Sequence, residues 1–191
     1  MNKIIGILGM QGAIAEHQEI LLQIPHTKTR IVKTAKDLDC IDGLILPGGE
    51  STAIGKLLDY FSLKEILQQK IISGLPVFGT CAGLILLAKN IENETNTHLA
   101  TMDITVKRNG YGSQLDSFST NLLIPTIDKN MPIPLVFIRA PYITKTGKDV
   151  QILATLDNKI IAARQKNMLV SSFHPELTCD LRFHQYFLSM I

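Results

Sequence analysis

Apolar and polar positions change rhythm halfway along the chain. In the first 90 residues, short apolar runs alternate with stretches of helical period. Residues 4–8, 29–33, 43–46 and 75–78 are predicted strands. Residues 13–24 place Ile14, Ile20, Leu21 and Ile24 on one face of an amphipathic helix. Residues 35–39 form a polar helical turn, 51–60 and 63–72 read as helices, and 82–89 as a strongly apolar helix. Short strands apolar on both faces, alternating with helices, are the pattern of a parallel sheet covered on both sides.

The second half is strand-rich. Residues 103–106, 121–124, 135–138, 150–156, 159–164 and 168–173 are strand-like, and turn signals such as Asp157-Asn158-Lys159 separate them. These segments predict hairpins added to the sheet, closed by a helix over 181–191. No repeat, low-complexity stretch or linker interrupts the pattern, so residues 1–191 read as one domain.

Composition narrows the function classes. Hydrophobic residues make up 46 % and charged residues 19 %, which excludes a disordered chain. The net charge of +2 gives no electrostatic footprint for nucleic acid. With no Trp and four Tyr, base-stacking platforms are scarce as well. The three cysteines, Cys40, Cys81 and Cys179, are widely spaced and form no C-x-x-C. That argues against a disulfide framework or zinc ribbon and for a reducing, cytoplasmic setting. The apolar run over 4–9 is too short for a signal peptide, and no run of 18 apolar residues predicts a membrane span.

Three constellations can carry chemistry. Gly79-Thr80-Cys81-Ala82-Gly83 lies between a predicted buried strand and an apolar helix. This G-x-C-x-G is the cysteine form of a nucleophile elbow. Its glycines permit a sharp turn that lifts the thiol to a helix N-terminus, where the dipole favours negative charge. The Ala82 N–H is left to stabilise an oxyanion. His174-Pro175-Glu176, at the end of a predicted strand, supplies a base and the carboxylate that orients it. Proline biases His174 toward an extended backbone, so His174 and Glu176 can point the same way. Pro47-Gly48-Gly49-Glu50-Ser51-Thr52 ends a strand and opens a helix, with Ser51 or Thr52 as the expected N-cap. Its amides suit a carboxylate or oxyanion, and Glu50 suits an ammonium. A phosphate loop is excluded, because five residues separate Gly49 from Gly55 and Leu57 follows Lys56. The other histidines, His17, His26, His98 and His184, have no metal-ligand spacing and read as surface or packing residues. On these residues alone, a peptidase-like or deglycase-like cysteine hydrolase and a scaffold without activity both stay open.

Taken together, the three constellations resemble the class I, triad-type glutamine amidotransferases. Gly6-Ile7-Leu8-Gly9-Met10-Gln11-Gly12, Arg108-Asn109-Gly110-Tyr111-Gly112-Ser113-Gln114, Phe137-Ile138-Arg139-Ala140-Pro141 and Ser172 through Thr178 narrow the likeness. They are similar to the glutaminases of pyridoxal 5′-phosphate synthase, over nearly the whole chain. The resemblance implies an α/β, flavodoxin-like three-layer fold with a mostly parallel central sheet. It implies hydrolysis of L-glutamine by Cys81, His174 and Glu176, and substrate binding by Gly49, Glu50, Ser51, Arg108, Ile138 and Arg139. Gly48 and Ala82 would form the oxyanion hole, ordered by Gln11 when a separate pyridoxal 5′-phosphate synthase subunit docks in a hetero-oligomeric complex. No cofactor and no metal are implied. One departure is visible: Ser113 stands where the family usually has Arg.

Overall fold

The computed structural model describes residues 2–110 and 117–191. Five parallel strands form the half of the sheet that matters for the site. They are β1 (Lys3–Leu8), β2 (Thr27–Val32), β3 (Gly43–Leu46), β4 (Val77–Thr80) and β12 (Met168–Ser171), in the order β2-β1-β3-β4-β12. This is the doubly wound order in which the sequence direction reverses between β1 and β3, opening a crevice at the strands' carboxyl ends. The strands β3, β4 and β12 are buried at every position, as sheets covered on both faces require.

Two apolar layers cover this sheet. On one face, α2 (Ser51–Tyr60), α3 (Lys64–Ile72) and α4 (Ala82–Leu87) bury Ile54, Leu58, Leu67, Ile71 and Leu84 against Leu8, Leu44 and Val77. On the other, α1 (Ile14–Leu22) and α5 (Arg182–Leu188) bury Leu21, Phe183 and Phe187 against Ile5, Ile7, Ile45 and Phe78. Phe78 is the hub of the second layer, with its ring centroid 5.5 Å from Phe183 and 5.7 Å from Phe187.

Beyond β12 the sheet turns antiparallel through β11 (Lys159–Gln165) and β9 (Tyr142–Thr146) to β6 (Met102–Lys107). The strand β5 (Ala88–Ile91) pairs in parallel at the far edge, and β10 (Gln151–Leu156) pairs with β11. Four expectations need correction. The apolar helix expected over 82–89 stops at Leu87, because Ala88 turns extended (φ −63°, ψ 133°) to start β5. The strand β9 went unpredicted, since only Ile143 of its five residues is buried. The hairpin of β7 (Ser117–Leu122) and β8 (Ile133–Ile138) does not extend the main sheet: it forms a separate two-stranded sheet, whose Leu135 and Phe137 join the α1/α5 layer. The last predicted helix is shorter than 181–191, and Arg182 at its start holds Asp128, Asp180 and the carbonyls of Met131 and Pro132. Among the described residues, no helix is long and apolar enough to cross a membrane.

Phe187→Ala would open a cavity beside Phe78 in a fully buried layer. It is expected to cost about 3–5 kcal/mol, seen as a lower urea midpoint at unchanged slope.

Candidate active site

The parallel register brings four loops to one edge. Leu46 pairs opposite Gly79, and Ser171 opposite Thr80. The segments after β1, β3, β4 and β12 therefore emerge side by side. They line a cleft of about 520 Å³ that includes Gln11, Gly48, Gly49, Glu50, Ser51, Cys81, Arg108, Ile138, Arg139 and His174.

Cys81 sits at the elbow with φ 48° and ψ −96°, a left-handed backbone that costs a non-glycine residue strain. It persists because its neighbours fix it. Cys81 N–H donates to Ser171 O at 2.8 Å, and α4 begins at the next residue. A Cβ at Gly79 would lie 2.6 Å from the Gly83 carbonyl group, and one at Gly83 would overlap the Leu46 carbonyl. The two glycines are thus required by close approach of helix and strands. Ala82 is the first helical residue, so its N–H has no intrahelical acceptor. The Cys81 Sγ lies 3.9 Å from Ile138 O.

His174 follows β12 and is anchored by its N–H to Val136 O at 2.8 Å. Its Nδ1 is 2.7 Å from Glu176 Oε1, and its ring packs on Gly48. Both side chains are more than nine-tenths buried. Burial alone would lower the His174 pKa. Hydrogen bonding to Cys81 and Glu176, with charge attraction to both, overrides that and raises it to about 10. Burial would raise the Glu176 pKa, but His17 and His174 hold it below the usual carboxylate range. The pair is therefore set up as carboxylate and imidazolium.

The remaining residues frame the other end of the cleft. The N-cap of α2 is Glu50, not Ser51 or Thr52: its carboxylate accepts from Thr52 N–H at 3.1 Å and Ala53 N–H at 2.7 Å. A carboxylate one residue ahead of the helix has two oxygens, one for each of two free amides of the first turn. Burial opposes ionisation of Glu50, but these amides and Arg108 lower its pKa. Arg108 Nη2 is 3.1 Å from Glu50 Oε1, and Nη1 is 3.2 Å from both Glu94 Oε1 and Thr52 Oγ1. Glu94 and Thr52 are partners that sequence reading missed. Gln11 Oε1 accepts from Glu50 N–H at 2.8 Å, and Gly48 O accepts from Ala13 N–H at 2.9 Å. Ser51 is buried, and its Oγ has no hydrogen-bond partner among the described residues. Arg139 holds a positive φ of 42° at the cleft wall. Ser113, the departure noted in the sequence, lies outside the described residues. Of the two expectations for His17 and His184, surface or packing, the structure shows packing: both are fully buried behind Glu176.

The pKa directions predict a pH signature. The His174 value rises from 6.5 to about 10 on folding. Its contribution to stability is thus complete below pH 6.5 and is lost as pH rises through about 10. The Tm advantage of the native chain over His174→Gln should be largest below pH 6.5 and shrink toward pH 10 in melts across that range.

Comparison with known proteins finds relatives along nearly the whole chain. The profile of the SNO glutamine amidotransferase family matches residues 7–191. The chain is 53 % identical over 189 residues to the pyridoxal 5′-phosphate synthase subunit PdxT of Ruminiclostridium cellulolyticum, covering 99 % of this chain and 100 % of that one. It is 54 % identical over 187 residues to the subunit of the same name from Carboxydothermus hydrogenoformans, covering 98 % and 97 %. A crystal structure described as a glutamine amidotransferase superposes with a TM-score of 0.90 at 39 % identity, covering 97 % of each chain. The chain belongs to the SNO glutamine amidotransferase family.

Proposed function

We propose that this chain is the glutaminase of a pyridoxal 5′-phosphate synthase, releasing ammonia from L-glutamine for a separate synthase subunit. The observation that carries the reading is the strained Cys81 beside a His174–Glu176 pair with a 2.7 Å contact, at the floor of a cleft whose other end holds Arg108. The sequence relationship to two synthase subunits supports the choice of partner.

In the proposed cycle, Arg108 grips the substrate α-carboxylate, exchanging part of its contact with Glu50 and Glu94. Glu50 receives the α-ammonium, while the backbone at Gly49 and Ser51 and the wall at Ile138 and Arg139 fix the side chain. The Cys81 sulfur attacks the amide carbon. The developing oxyanion rests on the Ala82 N–H and on an amide of the Gly48-Gly49 turn, which Gln11 steadies from across the cleft. His174 gives its proton to the departing nitrogen, and ammonia leaves with the C–N bond. His174 then takes a proton from water as it attacks the thioester, releasing glutamate and regenerating Cys81. Glu176 keeps the imidazole oriented and charged when needed. Every step uses side chains and water, so the reading calls for no cofactor and no metal. It places the chain in the cytoplasm, acting as one domain over residues 1–191.

Cys81→Ala is expected to abolish ammonia release from L-glutamine without unfolding the chain, seen as a cooperative melt that persists in the inactive variant. Activity close to the native level in that variant would overturn the assignment. Turnover should also rise when the synthase subunit is added, and equal turnover with and without it would remove the coupling.

A further inference from the structure

Behind the triad runs a buried chain of polar groups that the proposed reaction does not use. His17 on α1 and His184 on α5 are both fully buried. His184 Nε2 lies 3.0 Å from His17 Nδ1. His17 Nε2 lies 3.1 Å from Thr80 Oγ1, on the residue just before the nucleophile, and 3.5 Å from Glu176 Oε2. Glu176 Oε1 is the oxygen held by His174. Two atoms on this chain lack a hydrogen-bond partner among the described residues: Glu176 Oε2 and His184 Nδ1.

The direction of the protons follows from these two atoms. Suppose His17 carries its proton on Nδ1. Its Nε2 lone pair then faces a carboxylate oxygen, His184 Nε2 must accept, and the His184 proton is stranded on the unpartnered Nδ1. That places repulsion at one end and a buried, unpaired N–H at the other. With protons on both Nε2 atoms, His184 donates to His17, and His17 presents its N–H to Thr80 Oγ1 and Glu176 Oε2. The orphan at the far end is then only a lone pair, which is far less costly. Burial lowers the pKa of His17 and lowers that of His184 well below the ordinary value.

We propose that His17 is a positioning residue for the triad: its Nε2–H steadies the second oxygen of Glu176 and ties the carboxylate to the elbow through Thr80, so that the first oxygen stays on His174. The proposal rests on the triad reading above. His17 is the link because it is the group that touches both the orienting carboxylate and the residue preceding the nucleophile. The charged or titratable groups around Glu176 are His174 on its own loop, His17 on α1, His184 behind His17 and Cys81 beyond His174, with Glu16 acting on His17 from the same helix.

The test separates reach from polarity. A Gln at position 17 can place an amide N–H where Nε2 stands. An Asn ends near Nδ1, so it can meet His184 but falls short of Glu176. In the full chain with its synthase subunit present, His17→Asn should lower kcat for L-glutamine about 10- to 100-fold with KM unchanged, while His17→Gln stays near native. The acid limb of the His17→Asn pH profile should move to higher pH, because Glu176 takes up a proton more readily. A purely structural role would lower Tm alike in both variants without moving that limb. Equal kcat in the two variants, or an unmoved acid limb, overturns the proposal. Nitrogen-15 spectra of histidine-labelled native chain give a readout that needs no variant. Neutral His17 and His184 with their protons on Nε2 support the proposal, and a proton on His17 Nδ1 overturns it. A fully active Cys81→Ala would instead overturn the triad reading itself, and is distinct from a silent His17→Asn beside an inactive Cys81→Ala.

Discussion

Everything at the site depends on the parallel pairing of β12 with β4. This contact places a strand from the end of the chain beside the strand that leads into Cys81, with Ser171 opposite Thr80. The next residue on one strand is then Cys81, and three residues beyond the other is His174. Ser171 O accepts the Cys81 N–H, so the same register that aligns the strands also clamps the elbow. Parallel strands end in step, and their loops leave on the same edge. The separate β7–β8 hairpin supplies a different service, since β8 beside the β12 loop anchors His174 through Val136 O.

The two ends of the cleft run on different electrostatics. At the triad end, charge is buried and each partner is specific: burial opposes the Glu176 anion, and His17 and His174 hold its pKa down against that penalty. Removing any one member leaves another uncompensated. At the Arg108 end, the carboxylates of Glu50 and Glu94 are partly solvated, and such pairs are weak and exchangeable. A substrate carboxylate can displace a weak pair at small cost. A rigid reacting end and a yielding recognition end suit a site that must bind, react and release at the same mouth.

Much of this was legible in the sequence, for physical reasons that also mark where legibility stops. The elbow was readable because Gly79 and Gly83 are demanded by close approach of backbones, a constraint no side chain can satisfy. The strands β3, β4 and β12 were readable because burial on both faces leaves an unbroken apolar run. By contrast, β5 was read as the tail of a helix because a register shift between Ala88 and Asn90 breaks its alternation, and the apolar run before it continues the helical pattern. The strand β9 escaped because its pairing, not its composition, makes it a strand. His17 and His184 were left open between surface and packing, although His17 lies three residues from Ile14 and from Ile20, on the buried face of α1, and His184 follows the buried Phe183. Their neighbours carried the signal, and their polarity masked it. The capping role of Glu50 was hidden for a related reason, since a hydroxyl at Ser51 or Thr52 fits the common rule equally well.

The left-handed backbone at Cys81 has a consequence for how this chain responds to selection. The conformation is costly for any side chain and natural for glycine, so position 81 is a place where the fold is less stable than it has room to be. Variants chosen for heat tolerance alone would be drawn to relax it and would discard the thiol in doing so. Cys81 is kept at a standing thermodynamic disadvantage, and a library screened without an activity filter would register its loss as an improvement.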